Sequence, residues 1–365
     1  MKIFLIYIKS LLDFILLLIS RNNISEIKNE TNNLLFINTG QIGDLVISAA
    51  LLEEDERFDG YSNVFFLIQK QFEELYKDYK GRIKIIIIDI DAYKYNIIYR
   101  FKFNNYLRKL NIDIVYNLTS IRPTWNDALA LGIGANKTFC YPNNWLTLKK
   151  VFPETTDALY TKQIATEFFN EYEKINYVLY LINAIGTKEK NKSIGSLKYF
   201  PNEIFDIVIN PFSSQQNRDI TIDNLNVLAK KYINRKILIL CSKEQKTLLE
   251  NIRHSDKITF AAGKYKLNQL FSVINNSKVF IGVDSGLTHI ALTTKTNVVA
   301  VIGKGNYGRY LPKPDDNNSV YLFEECEFTG CEWYCKKDDV FCVKNITVNK
   351  IINAVDKFLI KYENT

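Results

Sequence analysis

The sequence is poor in the residues and patterns that announce common chemistries. Only two histidines occur in 365 residues. No G-x-G-x-x-G is present, which removes the dinucleotide fingerprint, and no G-K-[ST] closes a phosphate loop. No G-x-S-x-G elbow offers a nucleophilic serine. Paired C-x2-C knuckles are missing, so the usual structural zinc spacing is absent. No Lys/Arg-rich stretch, zinc finger or RNA-recognition signature appears, which argues against nucleic acid as the partner. No small-residue cleavage site follows the apolar amino terminus, so a cleaved signal peptide is not expected. No short-period repeat indicates a solenoid.

What is present describes a globular chain. Hydrophobic residues make up 47% and charged residues 24%, a composition that builds packed cores. The length suits two domains of roughly 150–180 residues each. The net charge of +7, with pI near 8.8, favours an anionic partner such as a nucleotide, a phosphorylated glycan or an acidic membrane face. Of six cysteines, Cys140 and Cys241 stand alone, whereas Cys326, Cys331, Cys335 and Cys342 cluster with C-x4-C-x3-C-x6-C spacing. Free thiols or a local disulfide fit that spacing better than zinc.

The opening run MKIFLIYIKSLLDFILLLIS reads as a membrane element. At about 100° per residue, Lys2, Lys9, Asp13 and Ser20 share one narrow stripe of a helix, and Ile, Leu and Phe fill the rest. Its charged residues and short length argue for an interfacial helix or short anchor rather than an unbroken span. A helix docked on the protein's own core is the alternative. RNNISEIKNETNN follows as a polar linker, and a first segment covers residues 1–30.

From residue 34, continuously apolar runs alternate with helical stretches. Strands are expected at 34–38, 64–68, 83–88 and 112–118, with helices near 44–55, 70–79 and 94–110. A long helical stretch at 160–186 and a hinge, GTKEKNKSIGS, come next. The pattern restarts with strands at 205–210, 236–241, 257–260, 278–283 and 297–302 and helices at 221–233, 243–252, 266–276 and 286–294. A carboxy-terminal helix is expected at 346–362. Strand–helix repetition with unbroken apolar strands predicts a doubly wound parallel α/β sheet in each half. The expected domains are 31–190 and 191–345, with a final segment at 346–365. Ligands in such sheets sit at the carboxyl ends of strands.

Three such strand ends carry polar motifs. In VFIGVDSGLTH, a buried strand ends at Val283, and Asp284, Ser285 and Gly286 turn directly into a helix. The free N–H groups there suit an anion, and His289 lies one turn on. An ordinary N-cap with a packed histidine fits the same residues. NPFSSQQNRD ends another strand and brings Arg218, whose guanidinium can grip a diphosphate or simply remain a solvated loop cation. GKGNYGRYLP adds Lys304 and Arg309. In the first half, GQIGDLVISAALLEE puts Asp44 at the head of a helix, as a base or as a plain cap. DID at 89–91 is a three-residue match to a metal-binding pattern that recurs by accident.

Together these stretches resemble glycosyltransferase family 9, the lipopolysaccharide heptosyltransferases. FINTGQIGDLVISAALLEE resembles the family's opening strand, loop and helix. VFIGVDSGLTHIALTTKTNVVAVIG resembles its D-[TS]-G-x-x-H block, and NPFSSQQNRD resembles its phosphate-gripping loop. Weaker likeness runs through DIVYNLTSIRPTWNDALALGIGANKTFCY and the cysteine-bearing tail, so it covers about residues 34–356. The resemblance implies a GT-B fold, two Rossmann-like domains facing across a cleft. It implies metal-independent, inverting transfer of a heptose or related sugar from a nucleotide diphosphate donor, with no cofactor and an ADP-linked sugar expected. Asp44 would match the catalytic base. Arg218, Asp284, Ser285, Gly286, Leu287, His289 and Lys304 would bind the donor, and Gly43, Thr119 and Arg122 would lie on the acceptor side. The expected partners are a nucleotide sugar, a lipid-linked or lipopolysaccharide glycan and the membrane surface, which puts the protein on the cytoplasmic face of a bacterial inner membrane. The sequence departs from the family at Asn38, usually basic, at Ala50, often proline, and at Gly303-Lys304-Gly305, usually Gly-Pro. A nucleotide-binding scaffold without catalysis and a sugar-nucleotide epimerase are the competing readings.

Overall fold

The computed structural model describes residues 2–22, 31–49, 51, 58–77, 79–119, 122–141, 156–164, 204–308, 311, 318–327, 331, 335 and 340–363. In the first helix, side chains are described from Ile8 to Ile19. The chain divides into two compact units, with the described residues up to Ile164 in the first and those from Ile204 in the second. The hinge at 186–196, most of the expected 160–186 helix, Arg309 and most of the polar linker lie outside the described residues.

The first unit starts with α1 (Lys2–Asn22), then β1 (Asn33–Ile37), α2 (Ile42–Ser48), β2 (Asn63–Gln69) and β3 (Lys84–Ile88). It continues with α3 (Ile90–Tyr95), α4 (Ile97–Lys109), β4 (Ile114–Asn117), α5 (Thr124–Leu131), β5 (Lys137–Cys140) and β6 (Lys162–Gln163). The six strands form one sheet in the order β3-β2-β1-β4-β5-β6, all parallel. Every residue of β1 is buried, as expected for a central parallel strand covered on both faces. The chain's first crossovers go one way from β1 and the later ones go the other way. The order therefore reverses between β1 and β4, and ligands bind at such a point.

The four expected strands of this unit are present. Those at β5 and β6 were not anticipated, because KTFC and KQ are short and lack an apolar run. The 70–79 stretch forms a 3-10 turn, Lys70–Leu75, rather than an α-helix. The helix expected at 94–110 is two helices, broken at Asn96, whose side chain accepts a hydrogen bond from Tyr99 N at 3.0 Å. That side chain caps the start of α4. Asp89 of DID likewise caps α3, accepting from Ala92 N at 3.0 Å. Among the described residues, no His/Cys/Asp/Glu group is arranged to hold a metal ion.

The orientation of α1 reverses the expectation for its polar stripe. Asp13 and Ser10 face inward and are buried, and Leu17 joins the core of the unit. Asp13 pairs with the buried Arg100 of α4, and Lys9 lies 3.6 Å above the Tyr95 ring. Polar residues thus make the docking side, while the opposite side is apolar. No helix among the described residues is long and apolar enough to cross a membrane.

The second unit holds β7 (Ile207–Asn210), α6 (Ile222–Lys231), β8 (Ile237–Cys241), β9 (Ile258–Ala262), α7 (Leu267–Asn275) and β10 (Val279–Val283). Then come α8 (Gly286–Leu292), β11 (Asn297–Val301), β12 (Ser319–Leu322), α9 (Phe341–Lys344) and α10 (Val348–Glu363). Its sheet is β12-β11-β10-β7-β8-β9, all parallel. Read from β7, this is the winding of the first sheet repeated, with its reversal between β7 and β10. The 243–252 stretch is a 3-10 helix, Lys243–Asn251, and β12 was not anticipated. α10 packs Ile351, Val355 and Phe358 into the core beside β10 and β11. All six cysteines are free thiols.

Removing the guanidinium that neutralises a buried carboxylate leaves that charge unmatched. Arg100→Ala is therefore expected to lower the unfolding free energy by about 3–5 kcal/mol in chemical denaturation. A loss below about 1 kcal/mol, the range of exposed pairs, would show that Asp13 and Arg100 do not hold α1 in place.

Candidate functional site

Each sheet brings a polar cluster to its reversal point. In the first unit, β1 ends at Ile37 and the loop 38–41 turns into α2. Asn38, where the resemblance leads one to expect a basic residue, is buried. It donates to Asp44 O at 3.2 Å and to Ser48 Oγ at 2.6 Å, and its Oδ1 accepts from Gly40 N at 2.9 Å. Gln69, from the end of β2, donates to the carbonyls of Thr39 and Gly40, the latter at 2.7 Å. These amides fix the loop by its own backbone, without a charge.

Asp44 is the third residue of α2, not its cap. Its Oδ2 accepts from Gln41 N at 2.8 Å, satisfying one donor that a helix start leaves open. The dipole there favours the ionised form. Gly40 is required by this arrangement, since a Cβ on it would stand 2.4 Å from Asp44 Oδ2. Gly43, the residue before Asp44, lies within the same first turn of α2.

Thr119 follows β4 and meets the same loop: its hydroxyl accepts from Thr39 N at 3.0 Å. Asn126 of α5 donates to Thr39 Oγ1 at 2.8 Å and accepts from Asn117 Nδ2 at 2.7 Å. Arg122 corrects the expectation of an acceptor-facing cation. Its side chain is fully buried and pairs with Asp127 at 2.8 Å and with Asp157. Tyr160 donates to the same Asp127 oxygen at 2.8 Å. Burial raises the Asp127 carboxyl, and Arg122 opposes that shift. Arg122 thus braces the interior beneath the loop, with its charge matched there.

In the second unit, the cluster centres on Asp284, just past β10. Its Oδ2 accepts from Arg218 at 3.2 Å and from Asn306 Nδ2. Arg218 closes a 3-10 turn, Gln216–Arg218, and also donates to Gln215 Oε1 at 2.7 Å. Burial lowers the Arg218 pKa and the Asp284 charge opposes that shift. Arg218 is therefore not the solvated loop arginine of the bland expectation, nor is Asp284 a helix cap. Ser285 precedes α8 without a side-chain cap bond; its hydroxyl donates to Asn210 Oδ1 at 2.8 Å, at the end of β7. Gly286 and Leu287 open α8, half-buried.

His289 is buried on α8 and its Nδ1 has no hydrogen-bond partner among the described residues; Asn306 Oδ1 is in the same condition. Two unsatisfied polar atoms beside one carboxylate mark a place where a ligand or water completes the bonding. Burial lowers the His289 pKa, with the Asp284 charge acting against it. Lys304 does not join this cluster. Its ammonium pairs with Glu325 at 3.2 Å and sits 4.5 Å from the Phe323 ring. Asn306, two residues on, makes the contact expected of it. Asn38 stood out only as a departure from the family, and sequence reasoning missed Gln69 and Asn126 in the first unit and Asn210, Gln215 and Asn306 in the second. All six are amides, which carry no charge signal, although Asn38, Gln69 and Asn210 stand at or beside strand ends.

Two parallel sheets of identical winding, each with a polar cluster at its reversal point, define a doubly wound α/β protein with two candidate ligand-binding rims. Residues 170–329, a stretch that includes the Arg218 and Asp284 cluster, match the model of glycosyltransferase family 9 (heptosyltransferase). It is 30% identical over 128 residues to the lipopolysaccharide core heptosyltransferase OpsX of Haemophilus influenzae, a stretch that covers 33% of this chain and 36% of that protein. The chain thus matches about a third of the length of this curated relative. Its fold is similar to that of a family 9 glycosyl transferase from Veillonella parvula, with TM-score 0.72 and 16% identity over 92% of this chain and 100% of the other. It is also similar in fold to the E. coli ADP-heptose lipopolysaccharide heptosyltransferase II, with TM-score 0.68 and 15% identity over 91% and 99% of the two chains.

A histidine with a depressed native pKa stays neutral in the fold while the unfolded chain takes up a proton. Its contribution to stability is complete above the unfolded value of about 6.5 and is lost as pH falls through the folded one. The drop in unfolding free energy between neutral and mildly acidic pH should therefore be smaller in His289→Asn than in the parent. Equal drops in denaturant titrations would show that His289 carries no such linkage.

Proposed function

We propose that the protein is a glycosyltransferase that moves a heptose or related sugar from a nucleotide diphosphate donor, ADP-linked, to a lipopolysaccharide-core or other lipid-linked glycan. The Asp284 cluster carries the reading. It combines a matched Arg218, two polar atoms awaiting a partner and the segment of family 9 sequence. The names of the relatives, which specify ADP-heptose and the lipopolysaccharide core, favour this donor and acceptor. The lipid-linked acceptor puts the reaction at the cytoplasmic face of a bacterial inner membrane.

The chemistry follows from the groups at the two rims. As the acceptor hydroxyl attacks the anomeric carbon, its proton passes to the Asp44 carboxylate. The new C–O bond forms opposite the departing diphosphate as the old one breaks, which inverts the centre. Negative charge grows on the diphosphate. Arg218, already aimed by Asp284 and Gln215, and the first amides of α8 are suited to stabilise it. No step calls for a metal ion.

Incubating the purified protein with ADP-heptose and a heptose-deficient lipopolysaccharide acceptor should release ADP and extend the glycan. ADP binding without either product would favour the scaffold reading. Activity on the free nucleotide sugar would favour the epimerase. Asp44→Asn is expected to cut turnover by about 10²–10⁴-fold, the usual share of a general base, with ADP affinity unchanged. Near-parental turnover would remove Asp44 from the base role. Arg218→Ala should weaken ADP binding by roughly tenfold or more, the scale of one charge-assisted hydrogen bond, and an unchanged calorimetric affinity would reject its diphosphate contact.

A further inference from the structure

The outer side of α1 is exposed among the described residues of the unit. Ile8, Leu11, Leu12, Ile15, Leu18 and Ile19 are each 41–54% exposed, opposite the buried Ser10, Asp13 and Leu17. The neighbouring α3–α4 corner is equally bare. Tyr95, Ile97, Ile98 and Phe101 are each 64–76% exposed. The two regions adjoin, because Lys9 lies over Tyr95 and Asp13 binds Arg100, within a helical turn of Ile97, Ile98 and Phe101. A soluble surface seldom gathers this many large apolar side chains in one place without a partner for them.

The charge around them is mostly positive, and the exposed Asp91 of α3 lies 3.8 Å from Lys94. α4 contains Arg100, Lys102, Arg108 and Lys109 and no acidic residue. Lys102 and Lys109 are exposed and continue the stripe that Ile98 begins, at one and three turns beyond it. The single acid of α1, Asp13, is consumed by Arg100. A second copy of the chain on this face by two-fold symmetry would set lysine stripe against lysine stripe, with Asp91 already beside Lys94. An anionic lipid surface complements both features at once.

We propose that α1 and the α3–α4 corner together form a membrane-docking face that lies flat on an anionic bilayer. The isoleucines, leucines and Phe101 enter the acyl boundary, and Lys102 and Lys109 reach lipid phosphates. The face is composite: α1 is pinned by Asp13 and is neither a spanning anchor nor a free tether, and α4 supplies the second contact. The inference deepens the reading of a lipid-linked acceptor by naming the surface that meets its membrane. It stands on exposure and charge alone.

Vesicle flotation of the full chain tests it, with phosphatidylcholine vesicles alone and with phosphatidylglycerol added. The parent should float with the anionic vesicles and less in high salt. Ile98→Asp with Phe101→Asp should reduce partitioning by roughly tenfold or more, and Lys102→Glu with Lys109→Glu should reduce it in low salt. ADP-induced thermal shift checks that each variant is folded, and transfer to a delipidated soluble acceptor should be unchanged. Loss of that transfer in the parent would overturn the proposed reaction and leave the docking face standing. A parent that ignores anionic vesicles, α4 variants that float like the parent, or a vesicle-free dimer that the α4 variants dissolve would each overturn the docking face.

Discussion

A parallel sheet that reverses its winding leaves the ends of two neighbouring strands uncovered, because the crossovers beside them leave in opposite directions. Polar groups at those ends must satisfy one another or bind something. In the second unit that demand falls on one carboxylate oxygen. Asp284 Oδ2 draws Arg218 from the β7 loop and Asn306 from the β11 loop, while Ser285 ties the β10 end to Asn210. Three loops from separate strands are thereby held around one point, and the orphaned atoms of His289 and Asn306 open onto it. In the first unit the same demand is met by amides. Asn38, Gln69 and Asn126 bind loop backbone and side chains, and the carboxylate of Asp44 accepts from Gln41 N at the start of α2.

Much of this arrangement was legible in the residues. The unbroken apolar runs at LLFIN, VFFLI, FDIVIN and KVFIGV are what a strand buried on both faces requires, and they sit where β1, β2, β7 and β10 form. Asp284 and Arg218 stood out because they follow such runs at the carboxyl ends of strands, where ligands sit. Three short strands did not stand out. KTFC, KQ and SVYL are short, and their pairing comes from the neighbouring strand rather than from their own pattern. Arg122 came to the acceptor side only through the resemblance, and the fold reveals that Asp127 and Asp157 enclose it. Lys304 and Asn306 show the limit most plainly. The two lie in one turn, and the turn sends the amide, not the cation, to Asp284.

The amino-terminal helix illustrates the same limit at larger scale. Its periodicity grouped Lys9 and Asp13 on one stripe, but periodicity cannot say which side faces protein. A lone acid among apolar residues is well placed against a buried arginine. The side with Asp13 therefore turned inward, and the greasier side was left to the outside.

The Arg218–Asp284 pair has a consequence for ligand discrimination. The guanidinium is already balanced by Asp284, so the cluster holds little excess positive field with which to collect free phosphate or sulfate. An anion gains there only if it brings enough shape and further polar contacts to satisfy the waiting imidazole and amide as well. Neutralising a cation in advance turns a general anion trap into a filter that favours larger, better-fitting molecules over simple salts.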